Sequence, residues 1–104
     1  MKRDLMVDIE TLGNQSNSII LSIGAAEFNI ITGEIHSTFY SKITLESNLE
    51  VGLQISPSTL KWWLQQNPGT LNDLLNSRHT ISQVLESFSE YIKSINLRAI
   101  WGNS

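Results

Sequence analysis

Apolar positions recur along this chain with two different periods, and the change from one to the other near residue 56 divides it. Leu5 to Ile9 is a short apolar run that reads as a buried strand. Gly13-Asn14-Gln15-Ser16-Asn17-Ser18 follows as a polar loop of turn formers. Ile19 to Phe28, rich in Ile and Ala, reads as a second strand, and Ile31-Thr32-Gly33-Glu34 as a turn in which Gly33 is free to take positive φ. Ile35 to Ile43 alternates and contains Thr38, Phe39 and Tyr40, all good strand formers. The short connection between strands two and three predicts an antiparallel hairpin.

Helical spacing takes over at Ser56-Pro57-Ser58-Thr59, with Ser56 as N-cap and Pro57 at the first helical position. This helix runs through Leu60, Trp62, Trp63 and Leu64 and is predicted to stop near Asn67-Pro68-Gly69. A short helical piece follows over Leu71 to Asn76. A stronger helix starts at Thr80, which forms a capping box with Gln83. Its residues Ile81, Val84, Leu85, Phe88, Tyr91, Ile92 and Ile95 are spaced by threes and fours and form a core-facing stripe. Leu97 to Trp101 reads as a fourth, buried strand. A strand reached through a long helical crossover lies parallel to its neighbour. The expected fold is therefore α/β, a mixed sheet with strands 1–3 antiparallel, strand 4 parallel to strand 1, and helices packed on it. Ligands in such sheets sit at the carboxyl ends of parallel strands, where Asp8 and Glu10 on strand 1 would meet Trp101-Gly102-Asn103 on strand 4.

Composition narrows this. A length of 104 residues suits one domain, and no apolar run approaches the roughly 20 residues of a membrane span, so no membrane partner is expected. Asp8 and Glu10 would interrupt any signal-peptide core behind Lys2 and Arg3, and with no cysteine, disulfides and thiolate metal sites are excluded. A cytoplasmic location, in a bacterial or phage-infected cell, is the default. The net charge of −3 argues against broad electrostatic attraction to nucleic acid but not against an enzyme that meets phosphate through bound cations.

The chemistry centres on Asp8-Ile9-Glu10. Residues i and i+2 of a strand share a face, so the two carboxylates project together, roughly 7 Å apart at their Cα atoms. They repel, and a hard divalent cation such as Mg²⁺ or Mn²⁺ relieves the repulsion. That spacing suggests a metal site for phosphate chemistry; two solvated acids at a strand end is the plainer alternative.

Asp8-Ile9-Glu10-Thr11-Leu12-Gly13 resembles the first motif of the DEDD 3′–5′ exonucleases, which have a ribonuclease H-like fold. The likeness continues through Ile19 to Phe28, Thr32-Gly33-Glu34-Ile35, Ser58 to Gln66 with its Trp-Trp pair, and Trp101-Gly102-Asn103. In that order these segments are similar to the branch of phage-type exodeoxyribonucleases and exodeoxyribonuclease VIII-like or Rv2179c-like exoribonucleases. The resemblance implies four acids holding two divalent metals, Mg²⁺ or Mn²⁺, at the 3′ end of single-stranded or frayed DNA or RNA. It implies that Asp8 and Glu10 are catalytic metal ligands, with Glu10 near the terminal 3′-hydroxyl, and that Thr11 and Leu12 lie beside the terminal nucleotide. Family members follow Trp-Gly-Asn with a Phe-Asp pair that supplies the third acid, and a later helix supplies a His or Tyr base and the fourth. This sequence stops at Ser104, so residues 1–104 are expected to be the N-terminal part of an exonuclease domain, weakly active or inactive alone. The alternative is a shortened module that binds nucleic acid or protein without catalysis; an apolar edge left uncovered would favour self-association.

Trp62 and Trp63 are adjacent on a helix and cannot share a face. One is expected to pack on the sheet and the other, taken as Trp63, to stack on a base. His36 and His79, beside a turn and a helix cap, are expected to be solvated or capping residues rather than catalytic ones. Asn14, Asn17 and Ser18 form a polar loop that would be free to contact phosphate.

Overall fold

The computed structural model describes residues 1–103, in the order β1 (Arg3–Thr11), β2 (Ile20–Phe28), β3 (Ile35–Lys42), α1 (Leu45–Glu50), α2 (Pro57–Gln66), α3 (Pro68–Leu75), α4 (Ile81–Lys93) and β4 (Leu97–Asn103). The sheet order is β3-β2-β1-β4. β1 pairs antiparallel with β2, β2 antiparallel with β3, and β4 parallel with β1. The mixed sheet predicted from the pattern is the sheet observed.

Alternation along the strands decides which face is buried. Leu5 and Val7 of β1, Ile23 and Ala25 of β2 and Phe39 of β3 turn to one side and meet Ile81, Val84, Phe88, Tyr91 and Ile92 of α4. The Phe39 and Phe88 rings lie 5.2 Å apart, within the range of favourable tilted pairs. The predicted capping box is present: the Thr80 side chain accepts from Gln83 N–H and the Gln83 side chain accepts from Thr80 N–H. A second apolar cluster of Leu12, Ile19, Leu21, Trp63, Leu71 and Leu74 closes the end of the sheet under α2 and α3.

Several expectations change. β1 and β4 each run two residues past their predicted ends, so the acid pair and Trp101-Gly102-Asn103 lie within strands. Helix α1 was not predicted; Thr44 caps it by accepting from Ser47 N–H. α2 stops at Gln66 with Asn67 as its C-cap, as predicted, but the short helix after it starts three residues earlier than expected, because Pro68 opens α3 at its first position, where a missing N–H costs nothing. Leu85, placed on the core stripe by spacing, is largely exposed, since the stripe that α4 buries is narrower than the run of apolar residues. Nor is β4 a buried strand: it lies at the edge of the sheet, and Ile100 and Trp101 are both about half exposed. Gly33 takes φ of 76°, as its turn requires. No helix among the described residues is long and apolar enough to cross a membrane.

Two features fix the end of the sheet that bears the acids. Asn48 of α1 is fully buried; its Oδ1 accepts from Ile20 N–H at 3.0 Å, and its Nδ2 donates to Ile20 O at 3.0 Å and Thr44 O at 2.9 Å. A side-chain amide thus does for the start of β2 what a neighbouring strand would do. Opposite it, the β1–β2 register shifts between Glu10 and Thr11: Glu10 faces Ser22, but Thr11 faces Ile20. Such an irregularity re-aims side chains at a strand end.

Candidate active site

Asp4, Met6, Asp8 and Glu10 alternate to the face of β1 turned away from α4. The register runs Asp8–Gly24–Tyr40 across β1, β2 and β3, with Glu10–Ser22–Lys42 as the next row. Asp8 and Glu10 therefore share a face, as the spacing predicted. Gly24 leaves bare backbone between Asp8 and Tyr40; a Cβ built there would come within 3.6 Å of the Tyr40 ring. Helix α3 walls one side through Thr70 and Asp73. Sheet and helix together enclose an open groove of about 260 Å³ whose lining includes Asp8, Glu10, Gly24 and Tyr40.

Electrostatics in the groove follow from this crowding. Asp8 is exposed and Glu10 partly buried. Burial raises the Glu10 carboxyl above its ordinary pKa, and the negative charge of Asp8 raises it further. Two oxygen-bearing acids that disfavour each other's charge are a fitting donor pair for a hard divalent cation, which reverses the sign of the local field. Among the described residues, no group of three or more Asp, Glu, His or Cys side chains is close enough to hold an ion.

On the other side of the acid pair, β4 runs parallel to β1 with Met6 level with Trp101, Val7 with Gly102 and Asp8 with Asn103. The predicted meeting of these two segments is therefore present. What holds it was missed by sequence reasoning. Asp4 is only 1% exposed. Arg98 grips it with two parallel bonds, Nε to Oδ1 at 2.7 Å and Nη2 to Oδ2 at 2.6 Å, and Trp101 Nε1 donates to Oδ2 at 2.6 Å. The Arg98 hydrogen bond holds the Asp4 carboxyl below its ordinary pKa; burial opposes this, and the Trp101 bond and the Arg98 charge reinforce it. The register explains the geometry: Arg3 pairs with Leu97 but Asp4 with Ala99, so Arg98 is an extra residue in β4. The signal was present in the period-2 pattern, since Asp4 shares a face with Asp8.

Other expected site residues fall differently. Thr11 is partly buried and donates its hydroxyl to Gly13 O at 2.6 Å, beside the acids but committed to the turn. Leu12 is 1% exposed, inside the second apolar cluster, so its side chain offers no surface to a nucleotide. Trp63 is the packed tryptophan, not the free one. It is 6% exposed and donates Nε1–H to Thr11 O at 3.2 Å, whereas Trp62 is 54% exposed. The helix turns Trp63 onto the face that covers Leu12 and Leu21, and a base cannot stack on a ring already enclosed. His36 and His79 are exposed, outside the groove. Ser18 is buried and accepts from Gln15 N–H at 3.0 Å, while Asn17 O accepts from Gln54 N–H, so part of the polar loop is spent on holding itself in place.

This fold recurs among nucleases. The nuclease domain of 3′hExo, a DEDDh family member solved bound to rAMP, superposes with a TM-score of 0.64 at 17% identity over 99% of this chain and 52% of that one. A 3′-exonuclease solved in 3′-end specific recognition of a histone mRNA stem-loop gives 0.57 at 18% identity, covering 100% of this chain and 48% of its own. Cell-death related nuclease 4 gives 0.57 at 10% identity over 97% of this chain and 35% of its own. The chain thus spans about half the length of these structures or less, and shares with them the ribonuclease H-like sheet. No curated protein matches it in sequence. Residues 3–104, from the first residue of β1 onward, match the 3′-5′ exoribonuclease Rv2179c-like domain, and the chain belongs to that family.

Proposed function

We propose that this chain carries the first two acids of a metal-dependent 3′–5′ exonuclease that removes nucleotides from the 3′ end of single-stranded or frayed RNA. One observation supports the reading above others: Asp8 and Glu10 share an open face of β1, level with the carboxyl end of its parallel neighbour. That is where ligands gather in open α/β sheets. The family's description as exoribonucleases, and the rAMP and histone mRNA stem-loop named with two of the structural relatives, favour RNA over DNA.

In this reading Asp8 and Glu10 hold Mg²⁺ or Mn²⁺. Bound there, a pair of such ions supplies the Lewis acidity that activates water and offsets charge on the leaving 3′ oxygen. The residues of the chain do the positioning. Asp8 stands exposed to accept a cation, and Glu10, partly withdrawn from water and with its pKa raised, is poised to gain most from one. Asp4, through Arg98 and Trp101, sets the height of β4 against β1 and so the place where a residue following Asn103 would enter the site. The backbone of Thr11 and Leu12, held by Trp63, forms the end wall beside the terminal nucleotide. Two acids are a partial donor set for two ions, so the 104 residues by themselves are proposed to hydrolyse weakly.

Digestion of 5′-labelled single-stranded RNA and DNA in Mn²⁺ tests this. The assay compares the 104 residues with a version extended through a third and fourth acid, and each with Asp8→Ala and Glu10→Ala. The extended version should shorten RNA one nucleotide at a time and lose this with either substitution. Robust activity in the 104 residues alone would place the active site elsewhere. Binding that survives both substitutions, without hydrolysis in either version, would make the chain a non-catalytic binding module.

A further inference from the structure

Tyr40 lines three adjoining cavities. One is the acid groove already described. Another, of about 360 Å³, opens beyond the β3 edge and is lined by Tyr40, Lys42, Arg78 and His79 together with the α3–α4 connection. The third lies between Tyr40, His79 and α4. A continuous path therefore leaves the acids perpendicular to the strands: Asp8 on β1, bare backbone at Gly24 on β2, the Tyr40 ring on β3, then the cavity outside the sheet. Two strand spacings put the Tyr40 Cα roughly 10 Å from that of Asp8.

The residues along this path change character in a telling order. At the inner end are two acids. Tyr40 is 62% exposed, its ring beside the bare backbone of Gly24, in a strand whose other large aromatic, Phe39, is turned into the core. At the outer end are Lys42 and Arg78, two of the chain's seven Lys and Arg residues, beside His79. Arg98, by contrast, is spent on Asp4. Lys42 has one competitor, Asp73, whose Oδ1 lies 3.6 Å from Nζ and whose backbone O accepts from Nζ at 3.2 Å. The Asp73 carboxylate is 71% exposed, so the pair is weakly held and Lys42 keeps donors for another anion.

We infer that this path is a subsite for the nucleotides upstream of the cleaved one: a base stacks on Tyr40, and a backbone phosphate sits among Lys42, Arg78 and His79. The ligand class is a single-stranded oligonucleotide of at least three residues, entering over the β3 edge with its 3′ end at Asp8 and Glu10. Aromatic stacking serves any base, so the subsite grips the strand without reading its sequence. It gives a chain of net negative charge a local cationic hold on a polyanion, displaced from the acids that need a metal to approach phosphate.

The inference rests on the exonuclease reading and adds a subsite to it, so its test separates the two. The full chain is titrated in Mn²⁺ with adenosine 5′-monophosphate and with a 5′-fluorescent tetranucleotide whose linkages are hydrolysis-resistant phosphorothioates, its length checked after each titration. Tyr40→Ala should weaken tetranucleotide binding about 5- to 100-fold, with Tyr40→Phe close to the parent, and weaken the mononucleotide by a much smaller factor. Lys42→Ala and Arg78→Ala should each lower the slope of log K against log salt by about 0.7 for the tetranucleotide, a readout that a merely structural role would not move. If Tyr40→Ala leaves the tetranucleotide untouched, or weakens the mononucleotide equally, there is no upstream subsite on Tyr40. The exonuclease reading would still stand provided Asp8→Ala and Glu10→Ala abolish mononucleotide binding. If those two substitutions change nothing, the exonuclease reading fails and the subsite fails with it.

Discussion

Glu10→Gln should make the metal-free protein more stable, and the gain should reverse when metal is added. Glu10 has a raised pKa because burial and the Asp8 charge both disfavour its ionised form. For an acid whose folded pKa lies above its unfolded one, ionisation weighs against folding. The penalty is absent below the unfolded value and complete above the folded one, so neutral pH carries all of it. Taking the roughly 7 Å between the Cα atoms of Asp8 and Glu10 as the separation of the charges, Coulomb repulsion is about 0.6 kcal/mol at the dielectric of water and about 2.4 kcal/mol at an effective dielectric of 20. Asp8 is exposed, which places the pair nearer the lower figure, at about 1 kcal/mol. For a domain of this size that is a rise of roughly 4–8 °C in Tm. The assay is thermal unfolding of parent and variant in chelator at neutral pH and near pH 4, then at rising Mn²⁺. In chelator the variant should melt higher at neutral pH, and the two should converge in acid. With Mn²⁺ at 100 times its Kd the parent gains about 2.7 kcal/mol, while the variant, short of one donor, gains less and the order inverts. A variant that melts lower in chelator at neutral pH, or a gap that persists unchanged in acid, would refute the reasoning.

Asn48→Ala strips three hydrogen bonds from buried backbone and leaves Ile20 N–H facing a void; a loss of about 2–4 kcal/mol in urea unfolding is expected. Trp63→Ala should cost about 3–5 kcal/mol and Trp62→Ala less than about 0.5 kcal/mol, because only the first fills the core; comparable losses would mean that the two rings are wrongly assigned. Asp4→Asn keeps the shape of the buried acid but not its charge. The stabilisation from its lowered pKa is present above the ordinary Asp range and lost as pH falls through the folded value. The variant's deficit in urea midpoint should therefore be full at neutral pH and shrink as pH falls below the ordinary Asp range.

The strands and the long helix were legible because each states its period strongly, and the acid pair because a period of two fixes its face without tertiary information. Thr80 and Gln83 announce α4 by local chemistry alone. Helix α1 was not legible: in Leu45–Glu50 it is short and held from outside by bonds such as those of Asn48 to Ile20, which no local pattern encodes. The choice between Trp62 and Trp63 was decided by where α2 docks, a tertiary fact. Asp4 was missed for a related reason. Its partners Arg98 and Trp101 lie more than ninety positions away in sequence, and only the parallel pairing of β4 with β1 brings them together.

The one-residue slip that inserts Arg98 into β4 also sets the phase of everything after it. Strand residues alternate between faces, so a shift of one exchanges the two. Without the extra residue, Gly102 would stand level with Asp8, and position 101 would present itself to the helix side of the sheet. With it, Trp101 shares a side with the acids. The strand therefore tolerates substitutions far better than changes of length. A residue removed between positions 97 and 99 would take away the partner of Asp4 and turn the rest of β4 inside out in the same stroke. A residue removed from the exposed Asn14–Ser16 stretch of the first loop would cost the Gln15–Ser18 hydrogen bonds but leave the two faces of the strands as they are.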